Sequence, residues 1–412
     1  MPEPKAAKSP LMVVFTTVFM DLVGFGMIIP LLALYGKDLG ASGWTLGLLG
    51  ASYSLAQFAF APLWGQISDR YGRRPMLLMS LAGASLSYFG FAGATALHSL
   101  AFLFLTRFFQ GAFSANISAA QAYIADVTTP ERRASGMALV GIAFGIGFIV
   151  GPPLGGISMA HFGLLAPGLI AGAICGLNAL LAWVRLPESL PLEIQLKNRA
   201  QPFRSYDPLN VDQLKRAWSH PVMGLLLAIS FLQITSFSMM EQVFSLFFKQ
   251  RFSFSLEMAG ERTGILLCYV GVVAGLIQGG YVRRAKRFNE SRALSTGLAL
   301  FSATLFFLPF GPSYASYFLL LFPLALGRSL IDPSTSSLVS KASHAAEQGR
   351  AFGTFQGLNS LARVLGPLVG LTLFETNPNL PFQLGGLICV VVLGMSLVLA
   401  GRLKAGVAAA AG

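Results

Sequence analysis

Gly65-Gln66-Ile67-Ser68-Asp69-Arg70-Tyr71-Gly72-Arg73-Arg74-Pro75 is a short charged island between two long apolar runs. The runs begin near Thr45 and near Met76. Each is of the size that crosses the hydrocarbon core as a helix, about twenty residues. Gly72 permits a tight turn, and Pro75 suits the first turn of the next helix. Basic residues hold such a loop on the cytoplasmic side. That accounts for Arg73 and Arg74, but not for Asp69 standing against them in a glycine-rich frame.

Outward from this loop the pattern repeats. Further apolar runs begin near Leu11, Leu100, Ala134 and Leu164, and after a polar stretch near Val222, Met258, Ala293, Ala315, Ala351 and Phe382. Six, a break and six predicts an N-terminal six-helix bundle over 1–184, a cytoplasmic central loop over 185–220 and a C-terminal six-helix bundle over 221–412. The first run, Leu11 to Tyr35, is too long for a signal-peptide core and contains Asp21, so it reads as a retained membrane helix. In the break, Pro187, Pro191, Pro202 and Pro208 interrupt regular structure. Leu209, Leu214 and Trp218 among Asp212, Lys215 and Arg216 fit either a short surface-lying amphipathic helix or a plain connecting loop.

Composition agrees. The 412 residues are 54% hydrophobic and 11% charged, whereas soluble domains spend about a quarter of their residues on charge. Lipid is therefore the solvent. The net charge of +12 sits in short clusters between apolar runs, which excludes a nucleic-acid-binding stripe. Cys175, Cys268 and Cys389 stand singly in separate runs, with no metal or redox spacing, and the four histidines form no ligand motif.

Lysine and arginine orient the chain. With the N-terminus inside, the cytoplasmic segments collect Lys5, Lys8, Arg70, Arg73, Arg74, Arg132, Arg133, six basic residues of the central loop, Arg283, Arg284, Lys286, Arg287, Arg292, Lys341, Arg350, Arg402 and Lys404. The opposite side receives Lys37, Lys249, Arg251 and Arg262. Both termini are expected to be cytoplasmic, in a multi-pass protein of a bacterial inner membrane.

The halves also resemble each other. Gly151-Pro152-Pro153-Leu154-Gly155 returns as Gly366-Pro367-Leu368-Val369-Gly370. Glu131-Arg132-Arg133-Ala134-Ser135-Gly136 is echoed, with one insertion, by Glu347-Gln348-Gly349-Arg350-Ala351-Phe352-Gly353. Parallel repeats of this kind place a substrate path between the halves near the bilayer midplane.

The loop from Gly65 to Pro75 resembles the signature loop of the major facilitator superfamily. Gly147-Phe148-Ile149-Val150-Gly151-Pro152-Pro153-Leu154-Gly155-Gly156 is similar to the motif associated with antiporters in that superfamily. Tyr123-Ile124-Ala125-Asp126-Val127-Thr128, Leu186-Pro187-Glu188-Ser189-Leu190 and Leu361-Ala362-Arg363-Val364-Leu365-Gly366-Pro367 resemble the tetracycline and multidrug exporters of its drug:proton antiporter branch. The resemblance implies an all-α membrane protein with 12 transmembrane helices in two pseudo-symmetric bundles, and a monomer. It implies a cytoplasmic gate at Gly65, Asp69, Arg70, Gly72, Arg73 and Arg74. In that gate Asp69 contacts the cytoplasmic end of the eleventh span, the run that begins near Ala351, and forms a charge relay with Arg70, Asp126 and Arg133.

Six ionisable residues lie well inside apolar runs: Asp21, Arg107, Glu241, Arg328, Asp332 and Arg363. Charges there are costly and normally face a cavity or one another. Arg328 and Asp332, four apart, share a helix face and fit a static pair as well as a functional one. Asp21 has no basic neighbour in its own helix, and the resemblance implies a proton-sensitive acid in this segment. A poorly hydrated cavity favours the neutral carboxyl, so such an acid can load and release a proton as access changes.

Arg107 opens a stripe continued by Gln110, Ser114, Ser118 and Gln121 on one helix face. Arg107-Phe108-Phe109-Gln110-Gly111 is similar to the family's arginine motif, which implies a part in proton coupling. Gln356, Asn359, Ser360 and Arg363 form a second stripe, Ser238, Glu241 and Ser245 a third, and Tyr53 with Gln57 a smaller one. Pointed inward, these stripes form an amphiphilic pocket, in which Glu241 is the candidate for a second, substrate-contacting acid.

The function expected is proton-coupled export of small amphiphilic molecules or drugs by alternating access, with protons as coupling ion, no other cofactor, and lipid as surroundings. The alternatives are an uncoupled or importing transporter of a sugar, peptide or metabolite, and a receptor that does not transport. An enzyme is not expected, since no phosphate loop, zinc-binding helix or nucleophile elbow is present. The receptor reading calls for a large soluble domain or long tail, and this sequence shows neither.

Overall fold

Pro30 removes a donor from the first apolar run, and the run responds with a change of helix type. In a computed structural model of the chain, α1 (Pro10–Ile28) passes through a tight turn at Ile29–Leu31 into α2 (Leu32–Asp38). The structure describes residues 10–114, 116–128, 130–203, 211–284, 289–343 and 348–411. The side chains at 10, 116–118, 130–136, 138, 211–213, 216, 279–284, 348–350 and 404–411 fall outside that description.

After α2 come α3 (Gly43–Tyr71), α4 (Arg73–Ala96), α5 (Leu100–Ala112), α6 (Asn116–Val127), α7 (Pro130–Phe162) and α8 (Ala166–Arg185). The central segment carries α9 (Leu192–Ala200) and α10 (Val211–Ser219). Then follow α11 (Met223–Arg251), α12 (Leu256–Arg284), α13 (Glu290–Phe307), α14 (Ser316–Ala342), α15 (Gln348–Thr376) and α16 (Leu380–Ala411). Among the described residues ten helices are long and apolar enough to cross a membrane. The α5–α6 pair and α14, whose apolar run is interrupted by Arg328 and Asp332, bring the set to twelve. Every spanning element is a helix because lipid offers backbone groups no partner.

The fourth span departs from the sequence expectation of one continuous helix. It breaks after Phe113, so the Arg107-to-Gln121 stripe is split between α5 and α6. The break is held from outside: Trp64 Nε1–H donates to the Ala112 carbonyl and the Ser80 hydroxyl to that of Phe113. Carbonyls that lose their helical partner inside a membrane must find another.

The helices form two compact units that interleave along the chain. One comprises Met1–Gly40, Ser52–Pro208 and Phe254–Cys268; the other comprises Ala41–Ala51, Leu209–Ser253 and Tyr269–Gly412. The start of α3 thus packs within the second unit and the start of α12 within the first. Close backbone approach at glycines makes this possible. A Cβ on Gly47 would lie 2.8 Å from Leu368 Cα, and one on Gly264 would lie 3.0 Å from the Pro152 carbonyl carbon. The two Gly-Pro repeats therefore serve equivalent ends: each receives the first turns of a helix from a distant part of the sequence.

The first unit is built around Val14, Val18, Leu22, Leu77, Leu81, Tyr123, Ile124 and Ala143. Leu86, Leu177, Val184, Leu276, Leu319 and Val391 are among the large apolar side chains that remain exposed, as a lipid-facing surface requires.

Candidate functional site

In the first unit, α5 places Arg107 in a buried position with Gln110 one turn on. The guanidinium donates to Gln110 Oε1 and lies 5.0 Å from the centroid of the Tyr53 ring. Tyr53, from α3, also meets Phe25 of α1 at 5.1 Å between centroids. Phe25 is one helical turn from Asp21, so α1, α3 and α5 are joined through aromatic rings between the acid and the arginine. Arg107 Nε is buried without a hydrogen-bond partner.

Asp21 and Arg107 have a common neighbour that the sequence reading missed. Tyr88 of α4 is buried, and the charges of Asp21 and Arg107 both act on it. Tyr88 and Cys175 of α8 also lie together over Gly24, one turn from Asp21. No sequence signal marked Tyr88, which stands in α4 without any polar stripe. Gln57 is half-buried, and Ser114, at the helix break, donates to the Gly111 carbonyl at 2.6 Å. The Ser118 side chain lies outside the described residues, and Gln121 is exposed.

In the second unit, Arg328 Nη2 and Asp332 Oδ2 of α14 are 3.0 Å apart. The Arg328 guanidinium lies 4.0 Å from the centroid of the Phe237 ring of α11. Glu241, one turn beyond Phe237, stands in the field of Arg363 and Arg328. Gln356 and Arg363 are exposed on α15. Asn359 is buried, and its Oδ1 accepts the Ser230 hydroxyl at 2.8 Å. It fastens α15 to α11 because the stripe it belongs to winds partly into the helix interface.

The loop from Gly65 to Pro75 is the most fully bonded polar region described. Arg73 Nη1 lies 2.6 Å from Asp69 Oδ1, Arg73 Nε lies 3.2 Å from Asp126 Oδ2, and Nη1 also reaches Ser68 Oγ at 3.1 Å. The relay expected through Arg70 is corrected accordingly. Asp69 in the last turn of α3 and Arg73 at the start of α4 meet across the Gly72 turn, whereas Arg70 reaches the central segment. Arg70 donates to the Gln201 carbonyl at 2.8 Å and stacks on Phe203 at 3.6 Å. The Arg133 side chain lies outside the described residues.

Gly72 adopts φ +106, the left-handed region that favours glycine. Arg74 Nη2 donates to the Trp183 carbonyl at 2.7 Å, capping the last turn of α8. Gly65 sits where an added Cβ would meet nothing within 4 Å.

The central segment supplies Glu188 and Ser189, marked in the sequence only by family resemblance, and Asn198 and Arg199, which the sequence reading did not single out. Glu188 accepts the backbone N–H groups of Arg73 and Arg74 at 2.9 and 3.1 Å, and Ser189 donates to Asp126 at 3.0 Å. From α9, Asn198 donates to the Asp69 carbonyl at 2.8 Å and Arg199 to that of Arg70 at 2.9 Å. The segment therefore caps the end of α3 and the start of α4. Amide and guanidinium side chains after a proline-rich stretch were the available signal, but only the fold shows what they reach.

In α7, Gly147, Gly151 and Gly155 recur every turn and let α1 approach its backbone: their added Cβ atoms would meet Leu22, Val23 with Gly26, and Met27. Gly156 and Pro152 face the start of α12, where Gly260 and Gly264 meet them. The motif thus packs two neighbours at once, and α7 stays helical through Pro152 and Pro153.

The Major Facilitator Superfamily profile matches residues 14–367 and 263–408. The Homo sapiens "Major facilitator superfamily domain-containing protein 10" is 30% identical, with 88% of this chain and 86% of that protein covered. "Tetracycline resistance protein, class C" of Escherichia coli is 31% identical, with 90% of each covered. "Multidrug resistance protein 2" of Bacillus subtilis is 29% identical, with 95% of each covered. Among solved structures, that of the human organic anion transporter MFSD10 matches with a TM-score of 0.71 and 28% identity, covering 96% of this chain and 100% of that one.

Proposed function

This chain belongs to the major facilitator superfamily and is an integral multi-pass membrane protein, and from that premise we propose that it is a proton-coupled exporter of small amphiphilic molecules. Tetracycline and multidrug resistance proteins among its relatives support export. The observation that carries the coupling is buried Arg107, set over the ring of Tyr53, which in turn meets Phe25 one helical turn from Asp21. Asp21 is the proton carrier. Arg107 favours its ionised form when near and releases it when displaced. Tyr53, Gln57, Gln110, Ser114, Glu241, Arg328, Asp332, Gln356 and Arg363 supply the polar groups that meet substrate. The loop from Gly65 to Arg74, with Asp126, closes the cytoplasmic side. The protein works as a monomer in a bacterial inner membrane, with both termini cytoplasmic.

The test is purified protein in liposomes with an inside-acid gradient. Proton efflux is followed on adding lipophilic cations, tetracyclines and neutral drugs, with Asp21→Asn as control. Substrate-dependent proton release that disappears in the variant supports coupled antiport. Equal substrate flux with and without the gradient sinks it. Similarity to the human organic anion transporter favours a second reading, an uncoupled carrier of organic anions. Gradient-independent flux of anionic compounds is its signature.

A further inference from the structure

α14 keeps a guanidinium group in mid-helix that its protein neighbours satisfy on one side only. Arg328 Nη2 is paired with Asp332, the face of the group lies against the Phe237 ring, and Nη1 is buried with no hydrogen-bond partner. A charged donor left unmatched in a low-dielectric setting is costly and calls for an explanation. The Arg328–Asp332 ion pair lies within one helix, and Arg328 meets α11 through the face of the group on Phe237, so neither contact accounts for the unmatched Nη1 edge.

The sign of the missing partner follows from the geometry. Phe237 covers the plane of the guanidinium, which leaves its edge, the part that matches a carboxylate or sulfonate with two parallel bonds. Gln233, one turn before Phe237 on the same face of α11, brings a second buried N–H without a partner. Asp332 is the more exposed member of the pair, 44% against 24%, and so can take up water when a ligand arrives. A cationic ligand would have to draw Asp332 away and leave Arg328 unpaired. Glu241 and Arg363, the unit's other membrane charges, add no net charge.

We propose that Arg328, backed by Phe237 and assisted by Gln233, is a subsite for the acidic group of an amphiphilic substrate. Asp332 is the internal anion that occupies it between ligands. That the ligand is transported cargo rests on the transporter reading above; the subsite itself does not.

The experiment uses the full chain in nanodiscs of zwitterionic phosphatidylcholine, where no anionic headgroup competes. Naphthoate, naphthamide and naphthylmethylammonium, one ring system with three charges, are titrated calorimetrically. Naphthoate is expected to bind about tenfold more tightly than the other two, and Arg328→Gln to remove that preference. Asp332→Asn is expected to strengthen naphthoate binding by freeing the second edge of the guanidinium. If Arg328→Gln fails to fold, Arg328→Lys keeps the charge, loses the planar edge, and should weaken naphthoate several-fold. Equal or tighter binding of the neutral or cationic probe overturns the proposal. So does an unchanged preference in the Arg328 variants, or the absence of naphthoate binding to folded protein. Liposome flux of the same probes is read separately. Arg328-dependent binding without flux counts against the transporter reading alone, and flux without anion preference counts against the subsite alone.

Discussion

The carboxylate of Glu188 occupies the space that a side chain on Gly72 would need. A Cβ added to Gly72 would stand 2.7 Å from Glu188 Cδ and 3.2 Å from Oε1. From that position Glu188 takes the first two N–H groups of α4, which have no partner within the helix. A negative group there also meets the positive end of the helix dipole.

Gly72→Ala therefore carries two penalties, a left-handed backbone and a displaced cap. The backbone part, at φ 106 and ψ 161, is about 1–3 kcal/mol, and loss of the cap adds about 1 kcal/mol. Glu188→Ala should show the cap part alone. Thermal unfolding in detergent separates them: the glycine variant should melt lower than the glutamate variant. Equal melting points would mean that Gly72 is dispensable to the turn.

Arg73 and Arg70 are adjacent in type and near in sequence, yet the loop uses them differently. The Arg73 side chain is 12% exposed; its partner Asp69 is 53% exposed and Asp126 22%. Exposed pairs contribute little, so most of the value lies with Asp126, which also accepts Ser189. Arg73→Ala should cost about 1–3 kcal/mol, whereas Arg70→Ala, which gives up a carbonyl bond and a stacked ring, should cost no more than about 1 kcal/mol. Asp126→Ala should be worse than Asp69→Ala. A chemical-denaturation series on the four variants decides the order, and the reverse order would return the relay to Arg70.

At the break between α5 and α6, Trp64 and Ser80 hold the two carbonyls that the helix has released. Trp64→Phe and Ser80→Ala each strand one acceptor in the membrane interior, at about 1–3 kcal/mol apiece. Because the two bonds secure one break, the double variant should lose less than the sum. Strict additivity in melting experiments would show that the bonds act independently.

How far the sequence could be read depended on what each residue answers to. The spans were legible because lipid enforces long apolar helices, and the loop from Gly65 to Pro75 because its glycine, acid and bases are local. Asn359 shows where reading stopped: its polar type and spacing placed it on a stripe, but a Ser230 more than a hundred residues away decides that it is buried. Tyr88 was invisible for the same reason. A tyrosine in an apolar run reads as packing until Asp21 and Arg107 arrive from two other helices. The clasp by Glu188, Asn198 and Arg199 is likewise made of backbone acceptors and donors, which carry no sequence mark at all.

Glycines separate packing from mere composition, and three positions make the contrast testable. Gly264 places its missing side chain 3.0 Å from the Pro152 carbonyl carbon and 3.1 Å from Pro153 Cα. Gly47 does the same at 2.8 Å from Leu368 Cα and 3.0 Å from the Pro367 oxygen. These obstacles are backbone, so they cannot step aside as a flexible side chain would. Alanine at either position must push two helices apart, and overpacking of this kind costs about 1–3 kcal/mol. Gly65 lies within α3 with nothing within 4 Å of an added Cβ. There alanine gains helix propensity, about 1 kcal/mol, and meets no obstacle. Melting points should fall for Gly47→Ala and Gly264→Ala and hold or rise for Gly65→Ala. A fall at Gly65 equal to the other two would mean that this glycine, too, is held against a neighbour, and that its place in the signature loop is a packing requirement.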